Sequence, residues 1–539
     1  VGEEKFSLKI FLPHKTVASQ HGIIDESLWG RELGMRWAKW TLAGLLAAAM
    51  ALFSAAALMP GPRADWTAVP APSQALIDAT KDLPEVALDV KYDDTVGQVS
   101  GTYAVTLTLP EGAEDVALLL RPNAYDSIDA LPFDDEGYLL AFANGASAGW
   151  IDIQGVMVDG VPTTPIYTES KLHMRVAPPE GATRVTISMS FITQLPSAWF
   201  SFAGNALGVF MTDFAPELCV WDGVQWRTDR QVKYANSRLM AAANVDLTLA
   251  CAEGFAVAWP FALTGKTTNG VTTWQGRGLG LRGLSLALTV GGHILGGQAG
   301  DTAVFCMAET QSAAKAALDT ALATLPVLTQ WLGDCPTPAV YVVEAGLLED
   351  SLALPGLVLV HEALFAARQR DALRTAVAEG MAGQWFGNLV AADDSSAPWL
   401  NAGLRRSVGL AALEQVKPAL GGRLYRQQVE RAYQRAQISM YEELDVVRGR
   451  ADQSAMSYPG YGAYLVLACD KSAIALRTMQ QELETPRMMA ALRAYLAECA
   501  YGVGGKQVFL DAVHRSTGID YANWLARQLN PTVYIPAGE

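Results

Sequence analysis

Three stretches of this chain alternate apolar and polar residues with a period of two: Val105, Leu107 and Leu109; Val185, Ile187, Met189 and Phe191; Val245, Leu247 and Leu249. That period sends one face of a strand into a core and the other into water, so residues 86–290 read as a β-rich domain. Asn269-Gly270, set between polar β-formers, predicts a type I′ hairpin turn. From about residue 290 the pattern changes. Residues 313–332 are Ala-rich, with Leu318, Leu322 and Leu325 near helical spacing. Strands follow at 339–343 and 357–360, then a segment in which Leu373, Val377, Met381 and Trp385 recur as one helical face. After Pro398 the chain reads as mostly helical, with closing helices at 490–501 and 518–529. The fold class is α+β and multidomain: a β-sandwich-like domain, then a mixed α/β to helical domain at 291–530, with no internal repeats.

Residues 41–59 form an apolar, uncharged run, with Arg36 and Lys39 before it and Arg63 after. As a helix it would span about 28 Å, close to the hydrocarbon thickness of a bilayer. The preceding basic residues place its N-terminal side in the cytoplasm. Read from Met35, the run also has the layout of a bacterial signal peptide: a basic start, an apolar centre and small residues at 54–57. Residues 35–60 are therefore expected to be a signal peptide or a transmembrane anchor, and residues 1–34 an over-extended gene start or a short cytoplasmic tail. Residues 61–85, with Pro62, Pro70, Pro72 and Pro84, read as a linker, and 531–539 as a tail. Either way the bulk of the chain is expected outside the cytoplasm, exported and either anchored or secreted.

Composition narrows the function classes. The 539 residues carry a net charge of −15, which argues against a nucleic-acid partner. Half of them are apolar, enough for a large core. The six Cys are far apart and form no C-x-x-C, so they read as buried thiols rather than a disulfide framework. No two of the six His are spaced as metal ligands within one element; His361-Glu362-Ala363-Leu364-Phe365 begins like H-E-x-x-H but ends on Phe and follows a strand-like run.

The most specific segment is Val377 to Asn388, V-A-E-G-M-A-G-Q-W-F-G-N, followed by Pro398-Trp399-Leu400-Asn401-Ala402-Gly403. It resembles the zinc helix of the aminopeptidase N-like gluzincins, H-E-x-x-H-Q-W-F-G-N, and their downstream P-W-L-N-E-G. In that family two His at i and i+4 and a later Glu hold zinc, and the Glu after the first His takes a proton from the zinc-bound water. The resemblance puts Glu379 at the first His, Gly380 at the general base, Gly383 at the second His and Ala402 at the third ligand. Gly383 and Ala402 are nineteen positions apart, the family spacing. A looser match, residues 350–360, puts Ala353 where the family has the Glu that holds a substrate amine. Residues 458–463 resemble the family's Y-x-K-G-A segment, whose Tyr stabilises the oxyanion; registering Gly462-Ala463 puts Pro459 at that Tyr, with Tyr458 and Tyr461 beside it. The β-rich region, including residues 121–125, resembles the family's N-terminal domain, and the 291–530 region its thermolysin-like domain.

The resemblance therefore implies a metallopeptidase scaffold with its chemical residues replaced. Gly and Ala offer a metal no donor atom, so no metal site and no zinc cofactor is expected, and the protein is expected to be a pseudoenzyme acting by binding. The candidate cleft residues are Glu379, Gln384, Tyr458, Tyr461, Arg405 and Arg406, and the expected occupant is a peptide or a partner protein. Membrane contact is expected through the N-terminal apolar run. Two alternatives stay open: an active zinc aminopeptidase with a relocated metal site, and a purely structural module. In a cleft kept for binding, Glu379 should line an open pocket, with Arg405, Arg406 or a ligand amine as its companion. In a decayed one, side chains such as Met381 or Leu404 should fill the space.

Overall fold

The alternating stretches become neighbouring strands with their apolar residues buried. In the computed structural model, which describes residues 68–126, 135–143, 145–228, 239–393, 396–436, 450–458 and 460–529, an eight-stranded sheet runs in the spatial order Thr264–Thr268, Val271–Arg282, Ala242–Ala252, Glu85–Asp93, Gln98–Thr108, Arg184–Gln194, Trp150–Val158 and Val161–Pro162. Glu85–Asp93 pairs antiparallel with Gln98–Thr108, Val86 opposite Val105, and parallel with Ala242–Ala252, Val86 opposite Val245. This register aligns the apolar positions on one face. Their side chains share a core with Val116, Leu118 and Met174 from one four-stranded sheet and with Val209 and Met211 from another. The Asn269-Gly270 turn has positive φ at both residues, 52° and 76°, as a type I′ turn requires.

The first 34 residues, the apolar run at 41–59 and residues 531–539 lie outside the described residues, which all belong to one structural unit, Pro60–Glu539. Among the described residues no helix is long and apolar enough to cross a membrane. The stretch expected to be a linker instead carries a helix, Gln74–Thr80, whose N-cap Ser73 accepts a hydrogen bond from the Leu76 N–H. Ser at this position outweighs the surrounding prolines because it satisfies one of the helix's orphan donors.

The second half is built on a five-stranded sheet of β1 (His293–Ala299), β2 (Thr302–Ala308), β3 (Ala339–Ala345), β4 (Ser351–Leu354) and β5 (Leu357–His361), in the order β1-β2-β3-β5-β4. Strands β2, β3 and β5 are parallel; β1 and β4 are antiparallel edges. The crossover from β2 to β3 is helix α1 (Gln311–Leu332), whose Ala313, Ala317, Leu325 and Leu328 are buried. After β5 come α2 (Arg370–Ala382) and α3 (Pro398–Val416), then a π-helical segment at Leu465–Lys471 running into α4 (Ser472–Leu483). The closing region holds α5 (Thr485–Cys499), α6 (Lys506–Thr517) and α7 (Ala522–Leu529). Gly518 does not open the last helix: it sits in the left-handed region at φ 73° and ends α6, while Asp520 accepts from the Ala522 N–H to start α7.

A buried arginine ties the β-rich half to the helical half. Arg282 donates to the carbonyls of Met240, Asn388 and Gly502, satisfying backbone acceptors from three segments. All six Cys are free thiols, five of them buried.

Candidate functional site

Helix α2 is fixed from three directions. Leu373, Val377 and Met381 point into the main core with no exposure, as their spacing predicts. On the sheet side, Gly380 lies against Val358 of β5 so closely that a Cβ there would overlap the Val358 methyl. On the opposite side, Gly409 of α3 abuts the backbone of Ala378 and Glu379, again without room for a Cβ. The helix stops at Ala382, with Gly383 as its C-cap donating to the Glu379 carbonyl at 2.9 Å. The Q-W-F-G-N run therefore lies beyond the helix, not within it. Trp385 stays wholly buried, but Gly387 at φ 115° has left helical geometry. Gln384 is not a cleft residue: wholly buried, it accepts from the Gly356 N–H at 2.8 Å and donates to the Gly380 carbonyl at 3.3 Å. It pins the turn between β4 and β5 to the end of α2.

The residues at the zinc-ligand positions do not fit the metal. A Cβ built on Gly383 would stand 2.5 Å from the Cβ of Ala353 and 3.3 Å from Cδ of Arg405. Real Cβ atoms do not approach that closely, so an imidazole at 383 has no place to go. Ala402 is buried on α3 and Ala353 on β4, and neither carries a donor. Strand β4 and helix α2 meet over small residues, Ala353 and Gly383. Met381 and Leu404, the side chains expected to fill a decayed cleft, are buried in the main core; the space is taken instead by Val358, Ala353 and the stem of Arg405. Among the described residues no group of three His, Cys, Asp or Glu side chains could hold a metal ion. His361 is the last residue of β5 and Glu362 begins a short 3-10 turn, so this His-Glu pair is a strand end.

Glu379 is not turned to bulk solvent. Its Oε1 accepts from Nε of Arg406 at 2.7 Å, and Nη1 of the same guanidinium donates to Oδ1 of Asp470. The three side chains are 14%, 13% and 7% exposed. Arg406 is four residues beyond Ala402 on α3, while Asp470 enters from the π-helical turn before α4. One cation thus faces two carboxylates. Burial works against the Arg406 charge, but Glu379 and Asp470 more than offset it and hold the guanidinium well above its ordinary pKa. Burial pushes the Asp470 carboxyl up to about 7 against the pull of Arg406, and the Glu379 charge adds to the rise. Its neighbour Lys471 is buried too, and burial pulls its ammonium down to about 8. Sequence reasoning reached Glu379 and Arg406 but missed Asp470; Asp470-Lys471 is the only charged pair in the otherwise apolar run 461–476, and that was the available signal.

The raised carboxyl has a measurable consequence. Unfolded, Asp470 titrates near 3.8; folded, near 7. Its contribution to stability is therefore complete below the unfolded value and lost as the pH rises through the folded one. Asp470→Asn should flatten the dependence of the urea midpoint on pH between about 4 and 7. A wild-type slope in that window no different from the variant's would contradict the assignment.

The two candidate tyrosines separate. Tyr458 is buried and its hydroxyl donates to the Ala451 carbonyl at 2.7 Å, a structural contact. Tyr461 is partly exposed, stacks on Tyr464 and faces the charges of Glu349, Asp350 and Arg406; burial first, then Glu349, raises its hydroxyl well above the ordinary range. Pro459 lies outside the described residues. Arg405 sits on the same face of α3 as Ala402, one turn on, and its stem crosses Gly383. Among the described residues it makes no hydrogen bond or ion pair, and its Nε is buried without a partner.

Residues 351–528 match the Peptidase family M1 domain. The matched span runs from β4 through α2, α3 and the Asp470 turn into α7, and so holds every position considered above except Glu349 and Asp350. A search of the curated proteins gives no match.

Proposed function

We propose that this aminopeptidase N-like member of peptidase family M1 has lost zinc-dependent peptide hydrolysis and works by binding a peptide or protein segment along the former cleft, on a thermolysin-like domain that follows a β-sandwich-like one. The observation that carries the reading is the closure at Gly383, whose Cβ direction runs 2.5 Å from Ala353. A metal-bound water and a base to deprotonate it are the core of this family's chemistry. Here the base position is Gly380, and the carboxylate left at the first ligand position, Glu379, is taken up by Arg406.

Closure at the metal position also suits a purely structural module. Binding is favoured by Arg405, whose stem lies over Gly383 and which makes no hydrogen bond or ion pair among the described residues. Export and membrane association, through residues 41–59, belong to the same proposal. With Lewis acid and base both gone, the purified protein should release no p-nitroaniline from alanyl or leucyl p-nitroanilide above the uncatalysed rate, where each missing factor is normally worth orders of magnitude. Release that a chelator abolishes and added zinc restores would replace this reading with that of an active enzyme using a relocated metal.

A further inference from the structure

The chain carries a net charge of −15, yet one stretch of its helical half is basic. Between residues 417 and 436 stand five cations and a single carboxylate, Glu430. The helix Pro418–Tyr425 runs through a π-helical turn, Arg426–Glu430, into a last helical stretch at 431–436. Leu424, Tyr425, Val429 and Tyr433 form its buried side, packed with Leu410 and Leu413 of α3. The π turn decides what lies outside. In a regular helix the residue one turn beyond Arg426 would be Glu430, a carboxylate that would balance it. Here the turn holds one more residue, and the Arg431 N–H donates to the Arg426 carbonyl. Arg431 therefore stands one turn beyond Arg426, and Arg435 one turn beyond Arg431. All three are exposed. Arg423, three residues before Arg426, begins the row, while Glu430 falls off it and is partly buried.

The first member of the row shows what such a guanidinium takes. Arg423 grips Asp371 of α2 with both terminal nitrogens: Nη2 donates to Oδ1 at 3.2 Å, and Nη1 donates to Oδ2. Arg374 donates to the same carboxylate at 3.3 Å, so Asp371 is already shared by two cations. The other carboxylate close by, Glu414, is taken by Arg477. The guanidinia of Arg426 and Arg431 make no hydrogen bond or ion pair among the described residues. Like charges one turn apart repel and weaken the helix that carries them, a cost that an anionic partner would relieve.

We propose that Arg426 and Arg431, with Arg423 and Arg435 at either end of the row, form a docking surface for an acidic helix of a partner protein, one that carries a carboxylate on each turn. The match is one of charge and pitch. Guanidinia one turn apart along one helix meet carboxylates one turn apart along another, and each pair repeats the fork that Arg423 makes with Asp371. Asp371 stands in the first turn of α2, about 18 Å along that helix from Gly383. The surface is thus separate from the former cleft, and it stands whether or not the cleft binds anything.

Fluorescence anisotropy with the purified full-length protein at low salt tests it. The probes are a labelled alanine-based helical peptide with Glu at every fourth position and its Gln counterpart. The Glu peptide should bind at least about tenfold more tightly, and the difference should fade at high salt, as it does for exposed charges. The double variant Arg426→Gln, Arg431→Gln should lose that preference. Its melting temperature should hold or rise, because two like charges no longer repel; a fall in melting temperature with the preference intact would make the two arginines structural and overturn the docking surface. Equal binding of the two peptides, or no binding of either, overturns it as well. Two competitors test the class of partner. Displacement of the Glu peptide by inorganic polyphosphate or by phosphatidylglycerol vesicles, at a lower concentration of charge than the unlabelled Glu peptide needs, would replace the acidic helix with a phosphate polymer or a lipid surface. A concentration-dependent dimer that the double variant abolishes would replace the separate partner with a second copy of this chain.

Discussion

Arg406→Ala should cost this protein about 3–5 kcal/mol of stability, the penalty for leaving buried charges without their counterion. Among the described residues Arg406 is the one cation paired with both Glu379 and Asp470, and all three side chains are largely shielded from water. Removing it leaves Glu379 and Asp470 without their counterion in a place largely shielded from water. The companion variant sharpens the argument. Replacing the whole triad at once with Glu379→Leu, Arg406→Met and Asp470→Leu should be close to neutral, because desolvating three charged groups returns little net stability. Urea unfolding followed by far-ultraviolet circular dichroism measures both. A loss below about 1 kcal/mol for Arg406→Ala would mean that water reaches the triad and the pairs behave as surface ones.

Introducing the residues of the H-E-x-x-H and P-W-L-N-E-G patterns should not build a zinc site here. Gly383→His drives an imidazole into Ala353, and Gly380→Glu drives a carboxylate into Val358. Overpacking alone costs about 1–3 kcal/mol per position, and an unpaired buried carboxylate adds to it. The fourfold variant Glu379→His, Gly380→Glu, Gly383→His and Ala402→Glu also breaks the Glu379–Arg406 pair. It should be destabilised by more than about 5 kcal/mol, summing these effects, and should neither bind zinc nor cleave p-nitroanilides. Expression of a stable fourfold variant that binds one zinc would show that strand β4 yields easily and that only the ligands had been lost.

Much of the scaffold was legible because it obeys local rules. Alternation at Val185 to Phe191 and Val245 to Leu249 reports directly which face is buried, since a strand's period is two. Asn269-Gly270 marks its turn because few other residues take two consecutive positive φ values. Pro398 marks the start of α3 because a proline costs nothing at the first helical position. The end of α2 was harder: Leu373, Val377, Met381 and Trp385 share one spacing, and the burial of Trp385 hid the fact that the helix ends three residues earlier. Ser73 was a capping signal overlooked among prolines.

At the site, residue identity was readable and its spatial consequence was not. Glycine at 383 and alanine at 402 offer a metal no side-chain donor, and glycine at 380 offers no base. What fills the space beside Gly380 and Gly383 is a tertiary matter, decided by the approach of Val358 and Ala353. Arg406 could be named as a companion of Glu379 because four residues separate it from Ala402 on one helix. Asp470 comes from sixty-four residues further on, and long-range pairing of that kind leaves only an indirect trace, a charge in an apolar run.

The central claim is that the metal is gone with its ligands, and zinc content tests it most directly. Elemental analysis of the purified protein, after dialysis against a weak chelator, should find far less than one zinc per molecule, because Gly383 and Ala402 supply no donor and Glu379 is held by Arg406. One zinc per molecule surviving that dialysis would contradict the account.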